Sequence, residues 1–129
     1  MSRLLKLTAL IEAATGLGLI AVPSVVVRLL LGSPLETSAA VTLGRVAGAA
    51  LLSLGVACWL TRGDTQNRAA RGLVAAMFLY NVATVAVLAF AGIGFGLQGV
   101  ALWPAVVLHA AMAVWCIACL RRSPHNVMD

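Results

Sequence analysis

Residues 73–91 read LVAAMFLYNVATVAVLAFA, with no charged side chain and only Tyr80, Asn81 and Thr84 to interrupt the hydrocarbon. In helical form such a run rises about 28 Å, close to the roughly 30 Å thickness of a bilayer core. The apolar/polar alternation of a half-buried strand is missing, and in lipid only helices and closed barrels satisfy their own backbone. The stretch therefore reads as a membrane-crossing helix. Working outward, three more apolar runs have comparable length: Leu4 to Leu31, Ala39 to Leu60, and Val100 to Leu120. Pro23 lies inside the first, where it removes a backbone hydrogen bond and crowds the carbonyl four residues earlier, so a break is expected there. Ser24 to Leu31 would then be a short oblique segment with Arg28 snorkelling toward the head groups.

Composition agrees with this reading. Of 129 residues, 62% are apolar and 10% charged, more apolar surface than a soluble domain of that size can hide. A disordered chain, a collagen-like repeat and a disulfide-stapled secreted module are excluded by the hydropathy, the aperiodic glycines and the three cysteines. Residues 1–129 are read as one domain, an all-α four-helix transmembrane bundle with helices at about 4–31, 39–60, 73–91 and 100–120. Arg3 and Lys6 ahead of the first run resemble a signal-peptide front end; with three spans following, that run is read as an anchor that stays.

The net charge of +5 is not a nucleic-acid footprint, because the basic residues punctuate the apolar runs instead of clustering on a polar domain. Arg3, Lys6, Arg62, Arg68, Arg71, Arg121 and Arg122 fall on one side of the expected topology, and Arg28 alone on the other. The positive-inside rule then places both termini in the cytoplasm. Trp59, Trp103 and Trp115 lie near expected helix ends, as interfacial anchors do.

Polar side chains within spans are costly and are the natural candidates for a site. Each helix supplies one: Glu12, Arg45, Asn81 and His109. Asn81 and His109 lie near the same depth and are expected to touch. Glu12 and Arg45 enter from opposite sides, some 10 to 15 Å apart axially, and would neutralise each other if they meet. Thr8 and Thr15 flank Glu12, Met77 and Thr84 flank Asn81, and Met112 and Cys116 share the His109 side, as expected of inward faces. The cluster has two readings. One is a structural lock fixing helix register; the other is a pocket for a small molecule, quinone or ion, since Glu and His in one low-dielectric site is an arrangement that proton-coupled carriers and quinone sites use. Gly44 and Gly48 form a G-x-x-x-G beside Arg45, and Gly16, Gly18 and Gly55 offer further close approach.

No phosphate loop, nucleophile elbow or metal-binding helix motif is present, so no metal site and no named catalytic residue is assigned. A second axial histidine for a haem is lacking within one chain, because His125 is in the polar tail. A haem shared by two copies of His109 in a homodimer, or a bound quinone, are the cofactors the cluster leaves open. Cys116 and Cys119 form a C-x-x-C on the last helix, with Cys58 at similar depth. This spacing permits a redox pair, and cysteine as a small membrane hydrophobe is the plainer alternative. With the four-helix count it resembles the vitamin K epoxide reductase type of quinone-linked disulfide enzyme, whose second cysteine pair in a loop has no counterpart here.

A resemblance spanning most of the chain rests on Glu12-Ala13-Ala14-Thr15-Gly16-Leu17 with Pro23, on Gly44-Arg45-Val46-Ala47-Gly48, on Tyr80-Asn81, and on Leu102-Trp103-Pro104-Ala105 leading to Leu108-His109. In these residues the chain is similar to the small four-helix bacterial inner-membrane proteins grouped as DoxX-like. That resemblance implies an inner-membrane location and an accessory or ligand-handling role, in some members linked to quinone and sulfur metabolism. The expectation is thus an accessory or structural subunit of a larger membrane complex, with enzymatic activity left open. Its partners would be lipid and other membrane subunits or a second copy. The alternatives are a small-molecule, quinone or ion binding or transport protein built on the Glu12, Arg45, Asn81 and His109 cluster, and a membrane thiol oxidoreductase.

Overall fold

A computed structural model describes residues 1–63 and 67–121. Within them the chain is helical, with no strand, in the order α1 (Ser2–Ala21), α2 (Pro23–Leu31), α3 (Ser38–Thr61), α4 (Arg68–Gly94) and α5 (Leu102–Arg121). Four of these, α1, α3, α4 and α5, are long and apolar enough to cross a membrane, which marks the chain as a multi-pass membrane protein. Leu10, Leu43, Leu60, Leu79, Ile93, Val107 and Val114 project from all of them into the surroundings, a surface suited to lipid and not to water.

The break at Pro23 is where the residue type puts it. Val22 leaves the helical region with φ −136° and ψ 59°, and Pro23 takes the first position of α2, where its missing N–H needs no partner. The stop of α2 is Gly32, at φ +79°, a left-handed conformation that glycine adopts without a Cβ penalty. Side-chain caps start the next two helices: Thr37 Oγ1 accepts the Ala40 N–H at 3.1 Å, and Asn67 Oδ1 accepts that of Ala70 at 2.7 Å. The second cap corrects a boundary. The polar stretch through Arg71 is not all loop, because Asn67 starts the helix early and draws Arg68 and Arg71 into its first turn. Arg122 and His125 lie outside the described residues.

The helices pair as α1 with α3 and α4 with α5, both antiparallel, and the two pairs approach one another less closely. Small residues make the first pairing tight. A Cβ built on Gly16 would lie 2.6 Å from the Leu52 nitrogen, one on Gly48 2.7 Å from the Gly16 carbonyl oxygen, and one on Gly55 2.9 Å from the Ala13 nitrogen. With lipid as solvent, such backbone approach supplies the dispersion contact that hydrophobic burial cannot. Gly44 faces Pro23 and Leu35, so both glycines of the G-x-x-x-G are occupied within the chain.

Side chains join the pairs. Leu4, Leu5 and Ala9 of α1, Cys58 of α3, Val74 and Met77 of α4, and Met112, Cys116 and Cys119 of α5 form one buried cluster in the half of the bundle that contains Met1. At the other end α2 bridges the pairs: the Ala101 N–H donates to the Leu29 carbonyl at 2.9 Å. A Cβ at Gly99 would collide with the Leu29 and Leu30 backbone, so only glycine allows the α4–α5 connection to lie this close to α2. By this topology Arg3, Lys6, Arg62, Arg68, Arg71 and Arg121 gather at a single end of the bundle.

Candidate functional site

Three of the four polar candidates meet between the helix pairs. Glu12, on α1, is 3% exposed, and its Oε2 accepts a hydrogen bond from the Tyr80 hydroxyl of α4 at 3.3 Å. The Tyr80 ring stands edge-on to the His109 imidazole of α5, with centroids 5.7 Å apart and planes at 81°. His109 Nδ1 lies 2.7 Å from Asn81 Oδ1, and Asn81 Nδ2 donates to the Met77 carbonyl at 2.7 Å. Glu12, Tyr80, His109 and Asn81 thus form a continuous polar seam across α1, α4 and α5.

Hydrogen bonding within the seam fixes the histidine tautomer. The Met77 carbonyl only accepts, so the Asn81 amide must present Nδ2 to it and Oδ1 to His109. His109 Nδ1 must then be the donor. In the neutral ring this leaves Nε2 with its lone pair, and Nε2 makes no hydrogen bond to any described residue. The ring is half-buried, at the edge of the packed interior and not sealed in it.

Arg45 does not join this group. Pairing of Gly55 with Ala9 and Ala13, and of Gly48 with Ile20, sets the register of α3 against α1. On that register Arg45 is level with Ala21, about 13 Å along the axis from Glu12. At Val22 α1 ends and the chain turns aside, so nothing covers Arg45; it is exposed, with no ion-pair or hydrogen-bond partner among the described residues. The expected Glu12–Arg45 neutralisation is therefore absent, and Tyr80 takes the place beside Glu12. Tyr80 was legible only as one phenol in an apolar run. It lies one residue, or about 100° of helix, from Asn81, and only the length of its side chain brings both into one seam.

Of the flanking residues, Met77, Met112 and Cys116 are buried, Thr84 donates to the Tyr80 carbonyl at 2.9 Å, and Thr15 is exposed. Thr8, one turn from Glu12, is 1% exposed, and its Oγ1 is an enclosed oxygen without a hydrogen-bond partner among the described residues. Cys58, Cys116 and Cys119 are free thiols enclosed by the Leu4, Leu5 and Met77 cluster. Among the described residues, no group of three or more His, Cys, Asp or Glu side chains is placed to hold a metal ion. Outside the bundle, Ala9, Leu10, Ala13, Gly55, Val56 and Trp59 line an apolar groove of about 240 Å3 between α1 and α3. No protein-family model matches the chain, and no curated protein or solved structure matches it either.

Proposed function

We propose that the chain is a multi-pass protein of a bacterial inner membrane, with both termini cytoplasmic, that binds a small lipid-soluble molecule at the seam between its helix pairs. The orientation is supported by the basic residues gathered at one end of the bundle. The observation that carries the binding reading is His109: Asn81 holds its Nδ1–H, so Nε2 offers an acceptor that no donor among the described residues meets. A pure lock would spend both ring nitrogens internally. The ligand that suits an acceptor nitrogen at membrane depth bears a hydroxyl donor on an apolar body. A quinol meets this description better than a quinone, whose carbonyls only accept.

The test is equilibrium binding of a short-chain quinol to the purified protein in detergent, with native mass spectrometry of gently extracted protein to show what is retained. His109→Leu is expected to weaken quinol binding about tenfold, equivalent to about 1.4 kcal/mol for one lost hydrogen bond, while thermal unfolding stays cooperative. Equal affinity of wild type and variant, or no binding by wild type, refutes the site.

One observation favours a second reading, that of an accessory subunit in a larger complex. Arg45 is an exposed cation on a membrane-crossing helix with no partner among the described residues, and an acidic side chain of a neighbouring subunit would pair with it. The same spectra separate the two: stoichiometric protein partners lost on Arg45→Leu support the subunit reading.

A further inference from the structure

The groove between α1 and α3 lies about 100° around α1 from Glu12 and the polar seam, and has a chemistry of its own. Its floor is the close backbone contact of Gly55 with Ala9 and Ala13, and its walls are the exposed faces of Leu10, Val56 and Trp59. Lengthwise it covers about one helical turn, roughly 6 Å. The lining is entirely apolar.

Cations surround one mouth of this groove. On α1, Lys6 and Arg3 precede Leu10 by four and seven residues, which places all three on one helical stripe, and both cations are exposed. On α3, Arg62 follows Trp59 by three residues; its guanidinium lies 3.7 Å from the Trp59 ring centroid and donates to the Trp59 carbonyl. The α1–α3 register sets Lys6 and Arg62 within about 3 Å of the same level. The described carboxylates are elsewhere: Glu12 is inside the bundle, and Glu36 lies in the connection between α2 and α3, at the far end.

We infer that this groove is a binding site for one acyl chain of an anionic phospholipid, whose phosphate is held by Arg3, Lys6 and Arg62. The apolar lining takes the chain, and the three cations take the headgroup at the depth where α1 and α3 leave the hydrocarbon. Arg62, held over Trp59, is already directed to the mouth and loses little freedom on meeting a phosphate. A groove one turn long fits a few methylenes. A transmembrane helix of a partner would need a face several turns long, and this lining extends for one.

Trp59 reports on the site directly. The chain has three tryptophans, and Trp103→Phe with Trp115→Phe, at exposed positions, leaves Trp59 as the sole tryptophan, excited apart from Tyr80 at the red edge of its absorption. The protein is reconstituted into phosphatidylcholine bilayers containing increasing fractions of either dibrominated phosphatidylglycerol or dibrominated phosphatidylcholine, and quenching is compared at equal fraction. The expected result is at least a fivefold higher apparent affinity of the Trp59 site for the anionic lipid, from about a single cation's worth of attraction. That preference should fall to unity in Arg3→Gln/Lys6→Gln/Arg62→Gln. Equal quenching by the two lipids in wild type overturns the proposal, as does a preference that survives loss of the three charges. Protection of Trp59 from both lipids, the mark of a partner helix or second copy seated in the groove, overturns it too.

Discussion

Gly48→Val is expected to destabilise the protein by about 2 kcal/mol, through steric conflict at the α1–α3 contact. A Cβ at Gly48 lies 2.7 Å from the Gly16 carbonyl oxygen, 2.8 Å from Leu19 Cβ and 2.9 Å from the Ile20 nitrogen, whereas ordinary contact begins at 3.4 Å. The difference, 3.4 − 2.7 = 0.7 Å, is the distance α1 must retreat before the γ-methyls are placed at all. Two of the three obstacles are backbone atoms, so no rotamer change relieves them. Overpacking of this kind costs about 1–3 kcal/mol, and a gap of 0.5–1 Å forfeits roughly a quarter to a half of each dispersion contact along the seam. Replacing glycine within a helix returns less than about 1 kcal/mol. The balance, about 2 kcal/mol, is a factor of roughly thirty in the folded-to-unfolded ratio. Reversible unfolding in mixed micelles at increasing dodecyl sulfate, followed by circular dichroism, measures it. Gly72→Ala is the control: a Cβ there meets nothing within 4 Å, so this variant should be neutral or gain up to about 1 kcal/mol. If Gly48→Val unfolds within 0.5 kcal/mol of wild type while the control behaves, the tight α1–α3 seam is wrong.

Asn81→Ala and His109→Ala should couple by about 1 kcal/mol in a double-mutant cycle, since each removes the same 2.7 Å hydrogen bond, and neither should couple with Arg45→Ala. Coupling with Arg45 would put that side chain back in the seam. Thr8→Val exchanges an enclosed hydroxyl that has no partner among the described residues for a methyl of similar shape and should stabilise the protein by about 1 kcal/mol; a loss of stability would reveal a partner for Oγ1. Maleimide should label Cys58, Cys116 and Cys119 only as fast as the bundle opens, because all three are buried, and rapid labelling of the folded protein would return the C-x-x-C to consideration as a redox pair.

Four spans were legible because Leu, Val and Ala fill them without regard to face, and a uniform run needs only its length to be read. The break at Pro23 was equally plain, since a missing N–H has one consequence wherever it falls in a helix. Boundaries were harder where a cap and an alanine pair outweighed charge: Asn67 with Ala69 and Ala70 begins α4 before the apolar run does. Of the site, Asn81 and His109 could be matched by depth alone. Arg45 could not be placed, because its spacing from Gly48 and Leu52 puts it on the stripe that faces α1, and only the end of α1 at Ala21 leaves it uncovered. The glycines announced close packing without naming the partner, which proved to be α1 of the same chain.

Short as it is, α2 has a mechanical role. It is joined to the first helix pair through the helix break at Val22 and pinned to the second where Ala101 meets Leu29. A segment fixed at one end and jointed at the other behaves as a tether: it limits how far the pairs can swing apart at that rim, while the Leu4–Cys116 cluster serves as the fulcrum below. Parting the pairs would stretch the Glu12–Tyr80 bond first, since that contact lies between fulcrum and tether and is already long at 3.3 Å. A guest entering sideways from the bilayer would therefore find the crevice widening toward α2, and α2 would set the largest guest admitted.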